Sequence, residues 1–423
     1  MWEQRRGHAE GMRGHRHTEP AARLPVPRRV SVSLGLAVGA GFVAALVGMV
    51  LLWPPHAHVG GAPGYVETTP TVTATVVVTR VYDCAPGGVL PGGAPSTPVR
   101  CETSQVALTS GRHRGDVVPV DTDTGAASTV LHSGDHVVLA VSQGPTGTVY
   151  EFFDYQRHTS LLVLGLVFAV VVVAVARWRG LGAIAGLVVT WGVLSRFTFP
   201  ALLEGRDAFA VALVTSALVI CVVLFVAHGV NARTSTAVLG TLASLALVGA
   251  LGVAAVHFTH LTGLGSEDVA YLKVASARVH LDGLLLAGMV IGSLGVLNDV
   301  TVTQASAVWE IHDANPSRGA LAIYRAGMRV GRDHIASTIY TLILAYAGAA
   351  LPLLLLFDLG GRAFSNVVSS ETIAEEVVRT LVGSVGLVAS VPLTTGLAAA
   401  VVTAASRHER NDAPREGDAV PDL

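Results

Sequence analysis

Long apolar runs recur along this chain, each closed by a polar or charged break. They fall at 30–53, 159–176, 181–203, 208–228, 235–256, 281–303, 335–357 and 377–405. Each is close to the ~20 residues that cross a hydrocarbon core of ~30 Å as a helix. Between the first run and the second the period changes. The segments TVTATVVVTRV (71–81), VRCETSQVALT (99–109), GDVVPVDT (115–122), GDHVVLAVS (134–142) and TVYEFFDY (148–155) are rich in β-branched residues, partly alternating, and separated by Gly/Pro turns. That pattern predicts short strands. The fold class expected is a polytopic α-helical membrane protein of about eight transmembrane helices, with a small all-β domain at 55–157 of the OB-like barrel or sandwich kind.

The flanks and charges refine this plan. Residues 1–29 and 406–423 are polar and are expected to be disordered tails, because so few apolar residues cannot offset ordering entropy. The first run is too long for a signal-peptide core and shows no small-residue cleavage site, so 30–53 is expected to stay as a span. The segment 159–405 then forms a seven-helix membrane domain. Arg28/Arg29, Arg177/Arg179, Arg233, Arg318/Arg325/Arg329/Arg332 and Arg407/Arg410 all fall on one side of the spans, while Glu204/Asp207, Glu267/Asp268 and Glu371/Glu375/Glu376 fall on the other. The positive-inside rule therefore expects both termini in the cytoplasm of a bacterial cell and the β domain outside. Cys84 and Cys101 flank the loop APGGVLPGGAPSTPVR within that outer module and read as a disulfide. Cys221 lies in a span as a free thiol.

Composition narrows the function classes. The chain of 423 residues is 51% hydrophobic and 14% charged, with a mean hydropathy of +0.56. All but one of its 28 basic residues are Arg, the exception being Lys273. No Lys follows a glycine run, which removes a nucleotide-binding loop. The Arg residues flank membrane runs and form no basic domain, so nucleic-acid binding is unsupported. His56-x-His58 and His132-x-x-x-His136 lack a third ligand and read as surface histidines, with no metal site and no cofactor motif.

One stretch, Gly288 to Pro352, breaks the apolar pattern with ionisable residues. Gly288, Gly292 and Gly295 form a small-residue face suited to close helix packing. Asp299 falls one turn after Gly295 on that face, and the stripe continues through Thr303, Ser306 and Glu310. A carboxylate within a span is costly unless it meets protein, water or an ion. Asp299 lies about 27 Å along its span at 1.5 Å per residue, a depth similar to that of Asp333 and His334 at the start of the next. Two readings fit. In one, Asn298, Asp299, Gln304, Glu310, Asp333 and His334 line or gate the inner mouth of a pathway for an ion or solute. In the other, Asp299 pins an interfacial loop and Asp333 starts a helix favourably. Residues 315–332 are expected as a short amphipathic helix whose Arg318, Arg325, Arg329 and Arg332 meet anionic lipid headgroups or a cytoplasmic partner. Arg196 is read as snorkelling or as pairing near Glu204 and Asp207. Glu375-Glu376-Val-Val-Arg379 is one residue short of the EExxxR pattern of membrane CAAX-type proteases and falls outside its run. With no GxSG serine and no paired aspartates, an enzyme is not expected.

FTFPALLEGRD (197–207), AHGVNARTSTAVLGTLASL (227–245), GMVIGSLGVLNDVTVTQASAVWEI (288–311) and GRDHIASTIYTLILAYAGAALPLLLL (331–356) resemble the signature segments of the YibE/F-like family of bacterial multi-pass membrane proteins. The resemblance covers the membrane half, and LNDVTVTQ combined with GRDHIAS and LAYAGAALP is specific. It implies a permease or exporter of unidentified solute. The alternative is a non-transport envelope scaffold or signalling protein that binds an extracytoplasmic partner through its β domain.

Overall fold

The computed structural model describes residues 27–54, 70–85, 99–124, 130–144, 147–276, 278–361 and 364–412. Most of the expected tails, His56, His58 and the Cys84 side chain lie outside these residues. The chain divides into two units, residues 56–184 and the remainder.

In the first unit, β1 (Thr71–Ala85), β2 (Val99–Leu108), β3 (Val117–Thr124), β4 (His136–Gly144) and β5 (Gly147–Tyr155) form one antiparallel sheet in the order β3-β2-β1-β4-β5. Period-2 alternation decides what is buried. Glu102, Ser104, Val106 and Leu108 of β2 point inward with Ala74, Val76, Val137 and Leu139. A bulge between Val76 and Val78 interrupts the alternation of the TVVVT run, leaving both Val77 and Val78 exposed. Cys101 on β2 is disulfide-bonded, whereas Cys221 is a buried free thiol. His132 sits 3.9 Å from the Asp135 carboxylate and His136 contacts the Thr75 hydroxyl at 3.1 Å, so each has a local partner.

The helices are α1 (Arg28–Leu51), α2 (His158–Val193), α3 (Phe199–Leu203), α4 (Ala208–His228), α5 (Ala232–Thr259), α6 (Glu267–Ala275), α7 (Leu281–Ala314), α8 (Ala320–Ala349), α9 (Leu351–Leu359), α10 (Phe364–Val368) and α11 (Glu371–Asp412). Local chemistry starts several of them. Asp207, Asn231 and Ser266 cap α4, α5 and α6, each accepting a backbone N–H three residues on. Among the described residues six helical stretches are long and apolar enough to cross a membrane, or seven when the bent pair α8 and α9 counts as one span.

The count differs from eight at α2. Two expected runs, 159–176 and 181–203, are joined there in one stretch from His158 to Leu203. Its 46 residues would be about 69 Å long as a straight helix, more than twice a hydrocarbon core. The backbone breaks instead at Arg177, a non-glycine residue at φ 54°. Past the break a Cβ on Gly180 would meet the Val172 carbonyl oxygen at 2.5 Å, so only glycine fits this crossing. Near the end of the stretch a π-helical turn, Leu194–Thr198, turns Arg196 outward. Among the described residues Arg196 forms no ion pair with Glu204 or Asp207, and the Asp207 carboxylate is engaged as the α4 cap.

The Arg-bearing segment 315–332 is not a separate helix. From Ala320 it is the first half of α8, which continues unbroken to Ala349. Ile323, Ala326, Gly327 and Gly331 are buried against α7 and α11, because Gly327 and Gly331 let Gln304, Val308, Val391 and Thr395 approach the α8 backbone. Arg318, Arg325, Arg329 and Arg332 are exposed. Four residues past Tyr346 the helix breaks by 60° into α9, whose first turn contains Pro352.

Candidate functional site

α7 is the central helix of its unit, packed against α4, α5, α8 and α11. Its faces can be read from its neighbours. Leu294, Val302 and Ala305 pack with Ile220, Cys221 and Leu224 of α4 and with Val238 of α5. Val296 and Val300 pack with Met328 and Ile335 of α8 and with Leu387 and Val391 of α11. Between these faces runs an exposed stripe of Gly288, Gly292, Gly295, Asp299 and Thr303. The expected close packing on the glycines is not formed among the described residues. A Cβ on Gly288 or Gly295 would meet nothing within 4 Å, and one on Gly292 would meet only the Tyr346 hydroxyl, at 3.7 Å.

The six expected pathway residues separate into different environments. Asn298 stands four residues from both Leu294 and Val302, hence toward α4, and its buried Oδ1 has no partner among the described residues. His334 belongs to α8, and its buried Nε2 also has no partner among the described residues. Asp299 and Asp333 are both exposed. Gly292 beside Tyr346, and Gln304 beside Gly327 and Gly331, set α7 and α8 antiparallel. In that register Asp299 stands about level with Ser337, one turn from Asp333 and His334.

Gln304 and Glu310 each tie one helix to another. Gln304 is 1% exposed. Its Nε2 donates to the Gly327 carbonyl at 2.8 Å and to the Thr395 hydroxyl at 2.7 Å, tying α7 to α8 and α11. Glu310 is exposed and accepts from Arg233 of α5 at 3.1 Å. Next to Gln304 the Thr241 and Thr301 hydroxyls are hydrogen-bonded at 2.6 Å across α5 and α7.

A further polar group was out of reach of sequence reasoning. α11 begins at Glu371, so Glu375, Glu376 and Arg379 lie within its helical stretch and not outside it. Glu371 Oε1 accepts from the backbone N–H of Thr262 at 2.8 Å, its hydroxyl at 2.6 Å and the Leu264 N–H at 3.3 Å. Glu375 accepts from the Gly265 N–H at 3.1 Å. These two carboxylates clamp the 262–265 turn. Arg379 Nη1 donates to Glu376 Oε1 at 2.5 Å, while its buried Nε–H has no acceptor among the described residues. One turn on, Gly383 faces the Ser293 hydroxyl and Leu342. The only sequence signal was the Glu-Glu-x-x-Arg spacing.

Comparison with known proteins assigns the long-helix part of the chain. A family model described as YibE/F-like protein matches residues 164–404, more than half of the chain. The chain belongs to the YibE/F-like family. The matched region takes in α4 to α8 whole and most of α11, so the α7 stripe and the Arg379 group both lie inside the YibE/F-like part. No match was found among curated proteins or among solved structures.

Proposed function

We propose that this YibE/F-like protein is a permease or exporter of the bacterial cell membrane, with its path along the α7–α8 flank beside α11. One observation carries the reading: ionisable groups recur along this flank through a membrane-length helix pair. Projected on α7, Arg379 of α11 and Asp333 of α8 are about 20 Å apart, so charged groups stand toward both ends of this flank with Asp299 between them. Ionisable groups within a helical membrane bundle are rare and mark ion or solute paths by default. Support also comes from the 60° break between α8 and α9 beside Tyr346, since interrupted helices border the binding sites of many transporters. Counting the α2 stretch as two spans and α8 with α9 as one gives eight spans. Both termini are then cytoplasmic by the arginine bias, and the β domain, with the strand order of an OB-like barrel, is outside. With no nucleotide motif, uphill movement would draw on an ion gradient or a partner ATPase.

Proteoliposomes holding the full chain test this, with H⁺, Na⁺ and divalent cations scanned across an imposed gradient. Flux is expected, and Asp299→Asn should cut it at least about tenfold while leaving insertion intact. Absence of flux above empty liposomes, from protein shown to be folded, would remove the transport reading. A second reading is then favoured by the exposed Val77, Val78, Val81 and Tyr82 of β1, apolar surface suited to an extracytoplasmic protein partner. In that case deleting the β domain, and not Asp299→Asn, abolishes function.

A further inference from the structure

We infer that the exposed face of α8 binds an anionic phospholipid, with the headgroup phosphate on Arg325, Arg329 and Arg332 and the acyl chains along Tyr340, Ile343 and Ala347. The inference rests on the membrane reading of the chain and not on transport. It starts from one side of one helix. Arg325, Arg329 and Arg332 recur at steps of four and three residues, and past Ala336 the same side continues through Tyr340, Ile343 and Ala347. All of these are exposed, while Ile323, Gly327 and Gly331 on the other side are buried. The exposed side changes character once: N-terminal to Asp333 it is arginine, and beyond it is Ala, Tyr and Ile.

Packing fixes the level of the stripe. A Cβ on Gly327 would lie 3.6 Å from Gln304 Nε2 and one on Gly331 3.1 Å from Gln304 Oε1, so Arg329, midway between them, is level with Gln304. Near that level the neighbouring helices end or begin. Leu224, one turn before the end of α4, packs with Val302 and Ala305, and Arg233, at the start of α5, pairs with Glu310 at 3.1 Å. Leu34, in the second turn of α1, packs with Val308. The arginines therefore stand at the rim of the bundle. Arg325 to Arg332 span about 10 Å along α8, against the ~5–8 Å of a headgroup layer beside a ~30 Å core. Arginine stems bend toward such a layer from either side, so the three guanidinium groups can converge on it.

The stripe is not neutralised by the protein. Among the described residues none of Arg318, Arg325, Arg329 and Arg332 forms an ion pair, and Asp333 is the one acid in α8. Glu310, the nearby acid of α7, is taken by Arg233. A soluble acidic partner would meet only the arginine half of this side. A phospholipid meets both halves at once, its polar boundary falling at Asp333, and an anionic headgroup brings phosphate to the guanidinium groups without an ammonium of its own.

The test is thermal unfolding of the purified full chain in a neutral detergent, titrated with phosphatidylglycerol, with phosphatidylcholine of the same chains, with glycerol phosphate or with poly-glutamate. Phosphatidylglycerol should raise the midpoint where the other three do not. Arg325→Gln, Arg329→Gln and Arg332→Gln should each raise the half-saturating concentration about fivefold, the equivalent of ~1 kcal/mol per basic residue at an anionic surface. The three side chains are exposed, so the variants should fold. The double variant Arg28→Gln/Arg29→Gln, at the basic start of α1, should leave the titration within about twofold of wild type, since it lies off this side of α8. An equal response to phosphatidylcholine, an unchanged titration in the α8 variants, or an equal loss in the α1 variant would each overturn the site. A shift with glycerol phosphate would make a free phosphate ester the ligand, and a shift with poly-glutamate alone would make it an acidic protein; either removes the lipid. A chain that stays soluble without detergent would instead remove the membrane reading beneath the proposal.

Discussion

Gly331→Leu is expected to abolish recovery of a folded membrane unit. A Cβ at position 331 would fall 2.4 Å from Val391 Cγ1 and 3.1 Å from Gln304 Oε1, both in the fully buried seam of α7, α8 and α11. Leucine adds three more carbons where even the first does not fit. Overpacking of this kind costs ~1–3 kcal/mol or more. Displacing Gln304 from Gly327 and Thr395 then strands a buried amide at ~1–3 kcal/mol for each unmet group. Together these approach the ~5–15 kcal/mol that holds a typical domain folded. Size-exclusion profiles of a fluorescent fusion, with a trypsin-resistance time course, provide the measurement; a monodisperse peak of wild-type resistance would refute the seam. Gln304→Leu should be milder, near ~1–2 kcal/mol. The Thr395 hydroxyl already donates to the Val391 carbonyl and stays satisfied without Gln304.

The turn clamped by Glu371 gives the second large effect. Gly263 has φ 79°, and a Cβ there would lie 2.6 Å from the Leu281 carbonyl oxygen. Backbone cannot rotate away as a side chain can. Gly263→Ala thus adds left-handed strain of ~1–2 kcal/mol and forces the turn off the Glu371 carboxylate, for a total of roughly 3–5 kcal/mol. Glu371→Ala should cost about 2–3 kcal/mol by removing the acceptor alone. Because both changes destroy the same contact, the double variant should be little worse than Gly263→Ala. Thermal midpoints of the four proteins, with hydrogen exchange at residues 262–266, check this. Additive losses would mean that the clamp and the turn act independently.

Most elements were legible in the residues. The apolar runs announced the long helices, and the β-branched, partly alternating segments between Gly/Pro turns announced the five strands. The eight expected runs are all present as helix, and the polar gap between 176 and 181 is where the backbone of the His158–Leu203 stretch breaks. Less legible was 315–332, where the polar sequence suggested an interfacial helix. Its small residues, Ala326, Gly327 and Gly331, make it a packed half of α8.

What the sequence determined alone was the local period and the element lengths, and with them the YibE/F-like family. These follow from rules that act within one segment: a backbone in lipid must close its own hydrogen bonds, and a half-buried strand must alternate. What only the tertiary structure decided was direction. Gln304 is an interhelical tie, Glu310 an ion-pair partner of Arg233, and Asp299 a carboxylate on an open stripe, although all three sit on one helix with similar surroundings in sequence. Arg379 belongs to the first turns of α11, which begins at Glu371. The physical reason is that lipid tails and protein interiors are alike in polarity, so hydrophobicity along a spanning helix does not say which face meets which neighbour. Packing between helices distant in sequence makes that choice, and here it set Gln304 of α7 against Gly327 of α8 and Thr395 of α11.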